Sequence, residues 1–303
     1  MRKGLSFGMW FLYECIPWMT VGLAECVAIV TLNLCTKIVF VRNRNLCKRS
    51  TYLVISLTVI DMFVGGSVVY YLVHFAGVLC NLFKWHLFDK WTYIFTKVLM
   101  SLFPIASLTN ITIIALERVH ATFFSLRHRV LKKWVYRLMI AVVWVISGLL
   151  AIAYQVLREF KETYYYGVSV LLTFSSIFLL IICVCYTSIV IKARCGVQPQ
   201  HHGAANRERK LTMTLLIVTV VSLMFYLPHL IWIFYLFIGK VSVSFSVTQH
   251  LFLASLFLLF ANSLVNPILY AIRMPEYRSA VLALFRKRPQ QQREVVVLPL
   301  REM

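Results

Sequence analysis

The sequence predicts an all-α membrane protein: a seven-transmembrane helix bundle followed by a short amphipathic cytoplasmic helix. Three observations lead there. The 303-residue chain is 60% hydrophobic and only 14% charged, with a mean hydropathy of +0.79, whereas soluble domains run at about 45–50% apolar and about 25% charged. Its apolar residues gather in seven blocks, each long enough to cross a hydrocarbon core of about 30 Å at about 1.5 Å per residue. Its Lys and Arg residues cluster on alternate connections between those blocks.

Residues 1–17, MRKGLSFGMWFLYECIP, are too short to span and lack an A-x-A-like cleavage site, so they are expected as an extracellular N-terminus. The blocks then fall at 18–41, 51–78, 91–116, 135–156, 164–191, 210–238 and 246–271. Glu25, Lys37 and Lys97 interrupt them near their ends, and Asp61 well inside. Reading the third block as interfacial leaves six spans, and counting the N-terminus gives eight; block length favours seven. Beyond the membrane domain of 18–271, the cytoplasmic segment 272–303 opens with MPEYRSAVLALF (274–285), which sets Tyr277, Val281, Leu284 and Phe285 on one helical stripe and Arg278 on another. That pattern fits a helix lying along the inner leaflet rather than an eighth span. No cysteine follows it to carry a palmitoyl chain.

Orientation follows from the basic residues, which are retained on the cytoplasmic side. Arg42, Arg44, Lys48 and Arg49 follow span one, Lys132, Lys133 and Arg137 lie around the connection between spans three and four, Arg207, Arg209 and Lys210 lie at the start of span six, and Arg286, Lys287, Arg288, Arg293 and Arg301 lie in the tail. The other side holds little beyond Lys84, Lys90, Arg158, Lys161 and Lys240. The N-terminus is thus expected outside a plasma membrane and the C-terminus inside. The same asymmetry accounts for the net charge of +20: the charges decorate short loops facing anionic headgroups of the lipid bilayer, and no nucleic acid partner is expected. Of eight cysteines, only Cys15 and Cys80 lie at or near the outer side, where pairing in an oxidising compartment is open.

A charge near the bilayer centre costs roughly 2.5–3.5 kcal/mol on insertion scales, so Asp61 in LTVID needs compensation. Asn33, Ser107, Asn262, Ser263 and Asn266 in other spans offer amide and hydroxyl groups. Such a set can form a hydrogen-bonded cluster that ties helices together, or hold a small cation with hard oxygen ligands. A second polar group sits where span three ends, in ALERVHATFFSLRHR (115–129): Glu117 and Arg118 are adjacent, and Glu208 stands near the start of span six.

Asn33 in span one, LTVID in span two, ERV closing span three, Trp144 in span four, Tyr186 in span five, FYLP (225–228) in span six and NPILY (266–270) in span seven together resemble the rhodopsin-class (class A) G-protein-coupled receptors. The spacing also agrees, with nine residues from Asn33 to Arg42 and twenty from Glu208 to Pro228. The resemblance covers about residues 18–285 and implies a receptor for an extracellular ligand that activates a heterotrimeric G protein. It implies that Glu117 and Glu208 restrain Arg118 in the inactive state, that Tyr186 and Tyr270 swing toward Arg118 on activation, and that Leu126 inserts into the G-protein α subunit. It also implies that Asn266 and Pro267 relay the change, that Tyr226 and Pro228 form the span-six switch and hinge, and that Asp61, Ser107, Asn262 and Asn266 hold an allosteric sodium ion, with no other cofactor.

Several positions depart from the family pattern. Val119 replaces the tyrosine after the arginine, Tyr226 replaces the span-six tryptophan, and Phe178 stands where a proline supports a span-five bulge. The family disulfide from span three to the second outer loop is missing: the matching residue is Tyr93, and YQVLREFKETYYYG (154–167) contains no cysteine. That stretch is expected as a loop held by its own tyrosines or left mobile.

Met100 occupies the position where amine receptors carry an aspartate, and residues 246–271 contain no lysine for a retinal Schiff base, so biogenic amines and light are disfavoured. The implied pocket comprises Lys97, Met100, Ser101, Pro104, Val170, Phe174, Tyr226, His229, Leu256 and Phe260, an apolar cleft with few polar anchors. It suits a small, largely apolar or amphiphilic ligand, with Lys97 and His229 able to orient an acidic headgroup. The alternatives are a peptide ligand, and a constitutively active or non-signalling receptor of the same fold. A transporter would show paired broken helices in two repeats, which are not found; no HExxH occurs, and the one GxSxG match, GLSFG at 4–8, lies ahead of the first apolar block and outside the strand-to-helix context that gives the motif its chemistry. The only Asn-x-Thr sequon, at Asn110, lies inside span three.

Overall fold

The computed structural model describes residues 2–43, 51–78, 90–160, 162–195, 203–239, 244–273 and 275–285, with residues 2–14, 74–78, 90–93, 129, 193–195, 203–212, 214–215, 245, 273 and 285 described as backbone alone. The apolar blocks are helices, and most run past the blocks that predict them. In chain order they are α1 (Arg2–Arg42), α2 (Thr51–Val78), α3 (Lys90–Phe123), α4 (Ser125–Val130), α5 (Lys133–Glu159), α6 (Tyr164–Cys195), α7 (Gly203–Phe237), α8 (Phe245–Arg273) and α9 (Pro275–Phe285). Among the described residues, α1, α2, α3, α5, α6, α7 and α8 are long and apolar enough to span a membrane.

Packing arranges these seven as a closed bundle. Helix α1 lies on α2 and α8, α2 on α3, α3 on α5 and α6, α6 on α7, and α7 on α8. Helix α3 is the axis: 61% of its central window is buried, against 22% for α5, α6 and α7. The outward faces of these peripheral helices carry Leu149, Leu180, Met224 and Ile231, an apolar belt that lipid can cover while each helix satisfies its own backbone.

Close approach of α1, α2 and α8 depends on two glycines. A Cβ on Gly65 would come within 2.8 Å of Val30 and 3.0 Å of Ile29, and one on Gly22 within 2.7 Å of Leu72 and 2.8 Å of Phe257. Cys26 uses this proximity to donate its thiol hydrogen to the Gly65 carbonyl at 3.0 Å. Pro17, Pro104, Pro228 and Pro267 lie inside helices, where each removes one backbone donor and loosens its turn. Gly239 terminates α7 with φ 70°, the left-handed conformation that glycine adopts without steric cost.

Three elements differ from expectation. Helix α1 continues back through Pro17 to Arg2, so residues 2–17, expected as an extracellular N-terminus, are helical and continuous with the first span, Cys15–Arg42. Helix α4, a turn and a half between α3 and α5, was not expected; Phe124 precedes it without a side-chain cap. The stretch 154–167 is mostly helical, with only residues 160–163 connecting α5 to α6. Its tyrosines do hold it: Arg158 donates to the Tyr154 hydroxyl at 3.0 Å and lies over the rings of Tyr154 and Tyr164. Gly167 lets α6 begin directly against α5, since a Cβ there would meet Leu157 and the Tyr154 carbonyl at 3.1 Å. Despite Phe178, α6 is an unbroken α-helix. Cys15 is disulfide-bonded, while Cys80 and the side chain of Tyr93 lie outside the described residues.

Candidate functional site

Two buried carboxylates organise the bundle interior. Asp61, in the middle of α2, is fully buried. Its Oδ1 accepts hydrogen bonds from Ser263 at 2.9 Å and Ser107 at 3.3 Å, and its Oδ2 accepts one from Asn266 Nδ2 at 2.8 Å. Helices α3 and α8 supply these donors, with Ser263 and Asn266 three residues apart and so on one face of α8. Asn33 fixes α8 from the other side, donating to the carbonyls of Ile29 at 3.0 Å and Ser263 at 2.9 Å.

Of the predicted cation ligands, Asp61, Ser107 and Asn266 therefore meet. Asn262 is also buried but makes no hydrogen bond to Asp61, and its Oδ1, like that of Asn266, has no hydrogen-bond partner. Ser263, absent from the predicted ligand set, takes a direct place on the carboxylate. Its signal was available in NSLVN, where positions 263 and 266 share a helical face.

The second carboxylate, Glu117, lies near the other end of α3 with its side chain 1% exposed. Arg118 binds Glu117 Oε2 through both Nε and Nη2. The opposite oxygen, Oε1, is 2.7 Å from His128 Nε2 and accepts from the Tyr136 hydroxyl at 3.3 Å; the tyrosine and the imidazole are themselves 3.2 Å apart. One carboxylate thus joins α3 to α4 and α5. The side chain of Glu208, the other predicted restraint on Arg118, lies outside the described residues. Leu126, on the same short helix as His128, is 77% exposed.

Between the two carboxylates run the predicted switch residues. Tyr226, in the turn before Pro228 in α7, is buried and donates to the Pro104 carbonyl of α3 at 2.7 Å, a bond that the indole of a tryptophan would have to reach differently. The Tyr186 hydroxyl accepts from Thr219 at 2.9 Å, linking α6 to α7. Tyr270, implied by the resemblance to swing toward Arg118 on activation, packs its ring edge-on against Phe40 and Tyr277 in this structure, with centroids 5.8 and 6.1 Å away. Tyr277 closes this aromatic cluster, its hydroxyl 2.7 Å from that of Thr36. Burial pushes the Tyr277 hydroxyl above its ordinary pKa, and the Thr36 hydrogen bond opposes that shift, so it stays protonated at neutral pH.

The implied ligand pocket is only partly assembled. Pro104, Tyr226, Leu256 and Phe260 are buried in the core, and Met100 packs partly buried against it. His229 shares a 3.1 Å hydrogen bond with Ser255 of α8. Lys97 faces Glu159 at 3.7 Å, and Ser101 accepts from Gln155 at 3.1 Å, so both mouth residues are engaged by α5. Val170 and Phe174, with Ile105, Leu150 and Phe178, line a narrow crevice between α3, α5 and α6, and Phe174 is exposed. Asn110 is fully buried and donates to the Leu53 carbonyl at 3.1 Å. Among the described residues, no cluster of three or more His, Cys, Asp or Glu side chains forms a metal site.

Comparison with known proteins gives this arrangement its family. The chain is 32% identical over 176 residues to the Mas-related G-protein coupled receptor member A6 of Mus musculus, covering 55% of this chain and 56% of that protein. It is 36% identical over 107 residues to the somatostatin receptor type 2 of Mus musculus and to that of Sus scrofa, in each case covering 34% of this chain and 28% of the relative. The chain thus spans just over half of the first relative's length and little more than a quarter of the other two. Residues 32–270 match the 7 transmembrane receptor (rhodopsin family) description. That interval contains Asp61, Glu117, Arg118, Tyr226 and the NPILY motif, and this protein belongs to the rhodopsin family of seven-transmembrane receptors.

Proposed function

We propose that this chain is a plasma-membrane receptor, N-terminus outside and C-terminus inside, that binds an extracellular ligand and activates a heterotrimeric G protein. The observation that carries this reading is the buried Glu117–Arg118 pair, 1% exposed on each side chain at the end of α3. A buried ion pair is weak evidence for stability, because desolvation offsets its attraction. Its use as a breakable tether accounts for placing it there. In the active state α7, hinged at Pro228, moves outward at its basic end, Arg118 leaves Glu117, and a cleft opens in which Leu126 meets the G-protein α subunit. A ligand drives this only through its differential affinity for the two states, and a shift from 1:99 to 99:1 needs about 5.5 kcal/mol.

Asp61, Ser107, Ser263, Asn262 and Asn266 supply hard oxygens suited to a sodium ion. The buried, unpartnered Oδ1 atoms of Asn262 and Asn266 support that fit. A bound cation would neutralise Asp61 and favour the conformation in which these helices stay together. In the proposed receptor, Asp61→Asn abolishes the sodium dependence of agonist affinity; a persisting dependence refutes the ion site.

The ligand reading is a small, largely apolar or amphiphilic molecule, supported by the apolar character of Met100, Leu256 and Phe260. A peptide is the second reading. It is favoured by the relatives named as somatostatin receptors and by the Lys97–Glu159 pair, which presents both charges to an incoming chain. The test of function is nucleotide exchange by purified heterotrimers on the full-length chain in lipid nanodiscs, with small amphiphiles and peptides screened in parallel. Exchange stimulated by the native chain, lost in Arg118→Ala and raised without ligand in Glu208→Ala, supports the reading. Equal exchange with the native chain and Arg118→Ala overturns it.

A further inference from the structure

Asp61 and Glu117 leave one acid inside the spans without a role. Glu25 lies in α1, ten residues past Cys15, where the first span begins, and so about 15 Å along the helix axis at about 1.5 Å per residue. Its Oε2 is enclosed by protein and has no hydrogen-bond partner, and no cation pairs with it among the described residues.

The neighbours of Glu25 show which way it faces. Cys26 turns its thiol to the Gly65 carbonyl of α2, which leaves Glu25 on the flank of α1 toward α8. Two turns before it on that flank, Trp18 donates to His250 Nδ1 of α8 at 3.0 Å and stacks on Phe257. The flank also opens to the membrane: Val21, one turn before, is 52% exposed and Leu32, two turns after, is 37% exposed. Gly22 leaves no room on the inner side, since Leu72 and Phe257 already lie where its Cβ would be. A partner for Glu25 therefore reaches it from the lipid, along the groove between α1 and α8.

We propose that this flank of α1 docks a separate transmembrane helix carrying a lysine or arginine, with Glu25 as its counter-charge. A carboxylate alone in hydrocarbon is costly, as is a lysine, and each is offset by the other. Depth selects the kind of partner. A free amphiphilic amine keeps its ammonium at headgroup level, whereas a helix that spans the bilayer carries a side chain down to Glu25. A second copy of this chain does not fit, because every Lys and Arg of its seven spans lies within two turns of a span end, and Arg118 among them is buried. A divalent metal does not fit either, since among the described residues no further His, Cys, Asp or Glu gathers there to complete a ligand set. Thr20, Ala24 and Ala28 recur at four-residue spacing beside Glu25, and such small side chains let a second helix backbone come close. This inference needs the seven spans and not the receptor reading.

The test uses the full-length chain in nanodiscs with the photo-crosslinker benzoylphenylalanine encoded at position 21 or, on the far side of the bundle, at position 145 of α5, where Val145 is 59% exposed. The probe is a synthetic Leu-Ala peptide of about 20 residues, long enough to span, with one lysine at its centre. Its cross-linking at position 21 is expected to exceed that of a peptide with leucine at the centre, or with the lysine moved to its end, by about threefold or more. Glu25→Gln brings the lysine peptide down to the leucine level, and Glu25→Lys paired with a glutamate-centred peptide restores the yield.

Equal yields for the lysine and leucine peptides overturn the proposal. So does an equal yield at position 145, an unchanged yield in Glu25→Gln, or failure of the charge-swapped pair to cross-link. Displacement of the lysine peptide by octadecylamine at the same mole fraction in the bilayer also overturns it, by assigning Glu25 to a free amine.

Discussion

Asp61 and Glu117 are both carboxylates buried in neighbouring helices, yet they are held in opposite ways. Asp61 is surrounded by neutral donors, two serine hydroxyls and an asparagine amide. Glu117 shares its pocket with a guanidinium on one oxygen and an imidazole and a phenol on the other. Neutral donors orient a carboxylate without cancelling its charge, so the Asp61 site invites a cation or a proton. A guanidinium cancels the charge but must be moved away to do anything, so the Glu117 site is suited to the latch of the proposed receptor. In that reading one bundle carries a site that responds to what binds it and a site that responds to what moves it.

The sharpest way to break this contrast is to remove one partner from each site. Arg118→Leu leaves Glu117 buried with only His128 and Tyr136, and should destabilise the folded chain by about 3–5 kcal/mol, the usual cost of breaking a buried pair on one side. Thermal unfolding in detergent measures it, and adding Glu117→Gln should recover most of the loss. Failure to recover would show that Glu117 carries no unbalanced charge.

At Asp61 the expected loss is smaller. Asp61→Ala strands the hydroxyls of Ser107 and Ser263 and the Asn266 amide, costing about 1–3 kcal/mol, whereas Asp61→Asn keeps the shape and should come close to native stability in sodium-free buffer. If Asp61→Asn were as damaging as Arg118→Leu, the distinction between a charge-oriented and a charge-neutralised site would collapse. Smallest is Tyr226→Phe, which deletes the bond to the Pro104 carbonyl and should cost about 0.5–1.5 kcal/mol. It sharpens the comparison because it lies between the two sites: raised ligand-independent exchange would show that α3 and α7 are held by a bond belonging to neither carboxylate.

How far these sites could be read from sequence depended on whether a local rule applied. The seven spans were legible because hydrocarbon thickness imposes a minimum apolar length on each. Asp61 was legible because a charge in lipid demands partners, and the asparagines and serines of other spans were the candidates. Helix α4 was not, since FSLRHR has neither a cap nor an apolar period. His128 was hidden for the same reason: its bond to Glu117 joins residues 11 positions apart through a turn with no sequence signal. The stretch 154–167 was misread because a run of tyrosines has only middling helix propensity, and tertiary contact through Arg158 and Gly167 overrode it. Tyr270 was placed by analogy with an activated state, while here its ring is buried against Phe40 and Tyr277, where it loses water contact on both faces.

The connection between α5 and α6 has a kinetic consequence. Residues 160–163 are the whole of it, and four residues extend at most about 14 Å, little more than the roughly 8–10 Å between the axes of packed helices. That connection has no slack to fold over the mouth of the bundle as a strap. In the proposed receptor, a ligand arriving there would meet no barrier from this loop on the way in and none on the way out. Its residence time is then set by the contacts it makes with the helices, and changes in affinity at Lys97, Glu159 or Gln155 should register as changes in dissociation rate, with association left near the value that diffusion and charge allow.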